Sequence, residues 1–127
     1  MRNIDIVAIV NAYTTQKNSG EPGVKLPAKV AWTRRVNMDK LFRAKSIIDE
    51  AVKELQSKYA DDEHSTEMED GNGRSVKPEY MQEFVKEQAD ILTQETEVDI
   101  RKVKIEDLGD VELSDADMDT IAFMLEG

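Results

Sequence analysis

The sequence predicts a mainly α-helical fold: a long, coiled-coil-like antiparallel helical hairpin with an N-terminal helix, a small β-hairpin and a short C-terminal helix. Residues 28–59 carry apolar side chains at a helical spacing that is broken only at Lys45, and no proline or glycine interrupts the run. Charged residues make up 35% of the sequence and aromatic residues only 6%. This balance is more typical of a helical bundle than of a β-sandwich. At 127 residues we predict a single domain over 1–127 with a modest core.

The predicted long helix, residues 28–59, carries an apolar stripe on one face. Its members follow one another at alternating spacings of three and four residues: Met38, Leu41, Lys45, Ile48, Val52, Leu55 and Tyr59. Pro27 stands just before the helix, and neither Pro nor Gly interrupts it. Three further apolar residues lie off the stripe: Trp32, Val36 and Phe42. We expect this second face to receive the N-terminal helix, and we expect the stripe itself to exceed the helix available to cover it.

Two shorter segments complete the predicted helical frame. Residues 3–17 form the N-terminal helix, with Asn3 as its cap, although their β-branched residues are also compatible with a strand. A loop over 18–27 follows, rich in Gly, Ser and Asn. After an acidic, Gly-rich connector over 60–77, Pro78 opens a helix over 78–95 that folds back antiparallel on the long helix.

The C-terminal third changes its periodicity. Residues 97–113 alternate apolar and polar side chains, which predicts a two-stranded β-ribbon with a bulge near Arg101 and Lys102. A last helix over 114–126 begins with Ser114 and Asp117, a pair that resembles a capping box.

The net charge of −10 is distributed unevenly. Residues 1–60 contain eleven Lys and Arg against six Asp and Glu, whereas residues 61–127 contain six against twenty-one. Ion pairs between the two halves can account for the modest basic excess of residues 1–60. They are too few to neutralise the larger acidic excess of residues 61–127. The chain has no cysteine, and its apolar run over 4–10 is too short to span a bilayer. We therefore expect a cytoplasmic protein without a membrane association.

No arrangement of residues predicts catalysis, a cofactor or a metal site. His64 is the only histidine, and it stands among acids in the connector, where a solvated side chain is the simpler interpretation. The C-terminal carboxylates cluster around a helix N-terminus, where the cap and the dipole already favour them. The sequence therefore favours a protein that is not an enzyme.

Binding of a partner is the remaining class of function. The basic residues of the long helix spread around its circumference with Trp32 as the single aromatic that could stack on a base, and the acidic total makes direct nucleic-acid binding unfavourable. We select these residues as candidates for contact with another protein: Trp32, Arg35, Phe42, Lys45, Asp115, Asp117 and Asp119.

The order of these segments resembles a family of small, uncharacterised proteins from phages and prophages of Gram-positive bacteria. Four stretches carry the resemblance: residues 26–32, 98–108, 111–117 and 123–126. The resemblance implies a phage setting, and hence the cytoplasm of a host cell, without implying an activity.

Two functional hypotheses follow. The first is a non-enzymatic phage protein that binds a phage or host protein, in an assembly or adaptor role, or that associates with itself through the long helix. The alternative is an acidic inhibitor that mimics nucleic acid and blocks a host defence enzyme, with Asp115, Asp117 and Asp119 at its surface.

Overall fold

Four α-helices and two short two-stranded sheets make up the part of the chain that the computed structural model describes, residues 1–20, 23–69, 71 and 73–126. Glu21 and Pro22 of the predicted loop, Asp70 and Asn72 of the predicted connector, and Gly127 lie outside the described residues. The elements occur in this order: α1 (Asn3–Asn18), α2 (Ala28–Lys58), β1 (Ser65–Glu67), β2 (Arg74–Val76), α3 (Pro78–Leu92), β3 (Val103–Lys104), α4 (Asp115–Ile121) and β4 (Leu125–Glu126). The predicted fold class is confirmed.

α2 is the longest element, with 31 residues, about 46 Å at 1.5 Å per residue. Most of its apolar stripe lies in the core, from Met38 through Leu41 and Ile48 to Tyr59, and Val30 is buried nearer the start of the helix. The expectation that the stripe exceeds its cover is therefore wrong. It is wrong because three segments together cover the length of α2: α1, α3 and the C-terminal segment. The C-terminal segment packs in a cluster around Val30.

α1 packs on the stripe itself. Ile6 and Val10 are buried against Met38, Leu41 and Ile48. α1 reaches the second face of α2 at Phe42, whose ring meets that of Tyr13, but Trp32 at the other end of this face stays 64% exposed. The prediction that the second face is the main docking surface for α1 is therefore wrong. The stripe offers α1 an apolar row that is interrupted only at Lys45, and Ala44 beside it completes the contact surface.

Asn3 does not cap α1. It is the first helical residue, and its buried side chain joins α1 to the end of α3. Its Nδ2 donates to the carbonyl of Ile91 at 2.8 Å, and its Oδ1 accepts from the Thr96 hydroxyl at 2.5 Å. The Asn3 side chain thus forms hydrogen bonds with residues distant in sequence instead of capping the backbone N–H groups of its own helix.

α3 folds back along the C-terminal half of α2. Tyr59 meets Phe84 edge to face at 5.3 Å, and Lys58 pairs with Glu87 at 2.9 Å. Farther along α3, Ile91 joins the same core cluster as Ile48. The two helices therefore form the predicted antiparallel hairpin, although α3 ends at Leu92, before the predicted residue 95.

The small β-hairpin lies inside the predicted connector. β1 and β2 pair antiparallel, with Thr66 opposite Ser75. Arg74 secures them, because its Nε donates to the Ser65 hydroxyl at 2.7 Å and its Nη2 lies 2.8 Å from Asp62. The expectation of an irregular connector over 60–77 is therefore wrong for this part, where each strand has only three residues, most of them polar.

The predicted ribbon over 97–113 does not form. β3 is the only described strand in that range, and it pairs in parallel with β4, with Val103 opposite Leu125. Residues 111–113 lead into α4 without pairing. The alternation marks an extended segment whose backbone is bonded by side chains of α2: Asn37 bonds both backbone groups of Arg101, and Lys40 donates to the carbonyl of Asp99.

α4 begins with the predicted capping box. The backbone N–H of Asp117 donates to the Ser114 hydroxyl at 3.1 Å, and the N–H of Ser114 donates to the Asp117 carboxylate at 3.0 Å. An Asp thus performs the role that Glu or Gln usually has in this motif. α4 ends at Ile121, and a 3-10 turn and β4 follow over the rest of the predicted helix.

Candidate functional site

A groove about 860 Å³ in volume runs between α1 and the N-terminal half of α2. We call it the α1–α2 groove and define it by six side chains: Tyr13, Lys17, Trp32, Arg34, Arg35 and Phe42. Ala31, Arg35 and Phe42 follow one another on α2 at helical spacings and form one row along it. Three of the seven predicted contact residues, Trp32, Arg35 and Phe42, therefore lie together.

Aromatic rings are prominent in the α1–α2 groove. Tyr13 and Phe42 meet edge to face with ring centroids 6.0 Å apart, and Phe42 remains 43% exposed. Trp32, the only tryptophan of the chain, is 64% exposed. Large apolar side chains that stay in water mark a binding surface when they lie side by side, whereas single ones are ordinary.

Cations surround these rings. The Arg34 guanidinium lies 5.5 Å and the Lys17 ammonium 5.9 Å from the centre of the Tyr13 ring. Both distances allow a cation–π attraction, which holds the two charges over the ring. Arg34 also donates to the Thr120 hydroxyl at 3.4 Å, so α4 helps to fix its position.

Lys45 lies in a second concavity of about 510 Å³ that shares Thr14 and Phe42 with the groove. Its ammonium pairs with Asp49 at 2.6 Å, one turn farther along α2. The structure therefore places Lys45 next to the groove, with its charge already satisfied within the helix.

The three acidic candidates separate into different environments. Asp117 is buried and has its oxygens occupied, because it also accepts from Gln16 at 2.5 Å. Asp115 and Asp119 are exposed on α4, and Asp119 lines a concavity between α1 and α4. The structure thus leaves two of the three carboxylates available at the surface.

Hydrogen bonding lowers the pKa of Asp117. The backbone N–H of Ser114 is the main cause, with smaller contributions from the Ser114 hydroxyl, Gln16 and the charge of Arg34, while burial acts in the opposite direction. Since these partners favour the charged carboxylate, the ionised form stabilises the fold.

Stability should therefore depend on pH through Asp117. A lowered folded-state pKa contributes stability that is present above the ordinary value of 3.8 and is lost as the pH falls through the folded-state pKa. We expect Asp117→Asn to unfold more easily than the wild type at pH 7, and the difference to shrink as the pH falls below 3.8. Denaturant unfolding at several pH values measures it.

Asp110→Asn is the matched control, since Asp110 is exposed and has no hydrogen-bond partner among the described residues. It should leave the free energy of unfolding unchanged at both ends of the pH range. A difference between Asp117→Asn and the wild type that stays constant with pH would contradict the electrostatic assignment.

One cluster has the residue types of a metal site. Among the described residues, ligand atoms of Asp61, Glu63 and His64 lie within 4.8 Å of one another. The Asp61 carboxylate already accepts from the His64 backbone N–H at 3.0 Å and lies 2.6 Å from His64 Nδ1. These contacts lower the pKa of Asp61 and close the turn before β1, so the contacts present have a structural role.

The His64 ring does not extend into solvent as the sequence suggested. It packs between Tyr59 and Tyr80, with ring centroids 5.4 and 4.6 Å away. It thereby joins the end of α2 to the start of α3.

The chain matches no protein-family model, no curated protein and no solved structure. None of the described helices is long and apolar enough to cross a membrane.

Sequence reasoning missed half of the groove. Tyr13, Lys17 and Arg34 were not among the candidates, although the spacing of four residues between Tyr13 and Lys17 places them on one face of α1. That face could have been recognised locally. Its position opposite Trp32 could not, because it depends on how α1 packs on α2.

Proposed function

We propose that this chain is a non-enzymatic protein that acts by binding another protein through the α1–α2 groove. The observation that carries the proposal is the exposure of Trp32 (64%) and Phe42 (43%) in the lining of one groove, together with the charged Arg35. Tryptophan and arginine are the residues that most often dominate the binding energy of protein interfaces. An assembly or adaptor role is the form of this proposal that we favour.

The binding surface differs from the one that the stripe suggested. The main stripe of α2 is occupied by the chain's own core, so the groove on its second face is what remains for a partner. The resemblance in sequence implies a phage setting, and the proposal therefore includes a phage or host protein as the partner.

The alternative, an acidic mimic of nucleic acid, has weaker support. Its surface was to include Asp117, which is buried in the cap of α4. Asp115 and Asp119 alone form a smaller patch than the hypothesis requires.

A pull-down from host-cell lysate with paired variants tests the proposal. Tagged wild type, Trp32→Ala and Ile47→Ala are compared, and the retained proteins are quantified by mass spectrometry. Ile47 is a matched control because it is also an exposed apolar residue of α2, 69% exposed, and does not line the groove.

We expect Trp32→Ala to reduce retention of the partner about tenfold, a loss of about 1.4 kcal/mol, and Ile47→Ala to leave it unchanged. Sedimentation of the purified wild type distinguishes self-association, which would appear as a dimer that Trp32→Ala dissociates. A partner retained equally by all three proteins would contradict the assignment of the groove.

A further inference from the structure

We infer that the partner segment of the α1–α2 groove is acidic: a linear stretch of protein that inserts an apolar or aromatic side chain beside Trp32 and carries carboxylates for the cations around it. The inference rests on the proposed function and specifies the chemistry of the partner. Its basis is the pairing of charges along α2.

Six cations of α2 lie outside the groove, and five of them have carboxylate partners; Lys53 has none within 4.0 Å among the described residues. Five such ion pairs are present: Lys29–Asp107, Lys40–Asp99, Arg43–Asp39, Lys45–Asp49 and Lys58–Glu87. Carboxylates of the chain's own fold thus neutralise these positive charges of α2.

The groove differs in this respect. Within the described part of the chain, no carboxylate oxygen lies within 4.0 Å of Lys17, Arg34 or Arg35. Asp39, which also lines the groove, is already paired with Arg43 at 3.0 Å. Among the described residues, Lys17 and Arg35 thus have no ion-pair partner, and Arg34 has only the longer-range attraction of Asp117, in a protein whose net charge is −10.

The aromatic side chains define the rest of the partner. Trp32 and Phe42 offer apolar surface between these cations, and the Tyr13 ring lies beneath Lys17 and Arg34. A segment that fits both features places an apolar side chain against the rings and carboxylates on either side of it. The guanidinium of Arg35 can then bind a carboxylate through two parallel hydrogen bonds.

A nucleic acid fits the groove less well. A polynucleotide carries charge along its whole length and would extend past the groove toward Asp49 and Glu50, which line the adjoining concavity. The net charge of −10 repels a long polyanion. A short acidic segment avoids this cost, because screening confines its interactions to about 8 Å at physiological salt.

A displayed library of random linear peptides, selected on the immobilised full chain, tests the inference. Recovered peptides are then measured against the wild type, Trp32→Ala, Lys17→Glu/Arg35→Glu, and Lys86→Glu. Lys86, exposed on α3, is the matched control for charge reversal. The fluorescence of Trp32, the only tryptophan, reports on occupation of the groove when the peptides themselves lack tryptophan.

We expect peptides with Asp and Glu flanking an apolar or aromatic residue. Their affinity should fall at least about tenfold in Trp32→Ala and in the double charge reversal, remain unchanged in Lys86→Glu, and weaken as salt is raised. Neutral or basic peptides that depend on Trp32 would overturn the acidic partner and leave the proposed function intact. The acidic partner would also be overturned if oligodeoxythymidine perturbed Trp32 fluorescence more strongly than the acidic peptides do.

Recovery of no groove-dependent peptide would also overturn the inference, because it specifies a linear segment. The proposed function fails separately, through the lysate experiment, if Trp32→Ala retains the partner as well as Ile47→Ala does. The two failures are therefore distinguishable.

Discussion

Leu41→Ala should lower the free energy of unfolding by about 3–4 kcal/mol, the largest effect of any single substitution considered for this protein. Leu41 is fully buried where α1 meets α2, in the cluster that contains Ile6, Val10 and Ile48. Removing its branched end loses the transfer free energy of the buried methyl groups and leaves a cavity that two packed helices can close only partly. Because small domains are stable by only about 5–15 kcal/mol, this loss is a large fraction of the total.

Equilibrium denaturation followed by circular dichroism measures the effect. Ile47→Ala, on the same helix and 69% exposed, is the control and should change stability by less than about 0.5 kcal/mol. Equal losses in the two variants would contradict the core assignment of the stripe.

Asn37→Ala should cost about 2–3 kcal/mol, since it removes both hydrogen bonds between one buried side chain and the Arg101 backbone, along with a weaker contact to the Met124 sulfur. Asn37 is fully buried; its Nδ2 donates to the carbonyl of Arg101 at 2.9 Å, and its Oδ1 accepts from the Arg101 N–H at 2.9 Å. The pair of bonds reproduces what a neighbouring strand would supply to the extended segment before β3. Alanine would leave both backbone groups of Arg101 without their protein partner.

Asn37→Asp tests the two hydrogen bonds separately, because it keeps the acceptor oxygen and replaces the donor with a buried negative charge. It should destabilise the protein at least as much as Asn37→Ala does. Asn11→Ala is the matched control, because Asn11 is exposed on α1 and helix propensity there favours alanine. Denaturant unfolding of the three variants provides the measurement. A near-neutral Asn37→Ala would show that water replaces the side chain and that the segment is held by other contacts.

Local signals in the sequence predicted the elements that depend on local physics. The stripe of α2 and the Ser114–Asp117 box each involve residues within one or two helical turns, and both are present. The start of α3 at Pro78 belongs to the same class, since proline at the first helical position loses no hydrogen bond.

Features that depend on distant partners were not predictable in this way. Asn37 and Asn3 find their acceptors 64 and 88 residues away, respectively, and nothing near either residue indicates those partners. β3 pairs with β4 across α4, whereas local alternation suggested a neighbouring strand. The β1–β2 hairpin was missed because its short strands present polar residues on both faces.

The candidate site lies between these two cases. Trp32, Arg35 and Phe42 were identified from their position off the stripe, but the groove also depends on Tyr13, Lys17 and Arg34. Those residues acquire their role only because α1 packs on the stripe and thereby leaves the second face open.

The central claim, that a partner protein occupies the α1–α2 groove, is tested most directly by the accessibility of Trp32. Acrylamide quenching of its fluorescence is measured on the pure protein and after addition of the purified partner recovered from lysate, with the partner's own fluorescence subtracted. We predict efficient quenching of the free protein, because Trp32 is 64% exposed, and protection of Trp32 in the complex. A stable complex in which Trp32 remains as accessible as in the free protein would contradict the account.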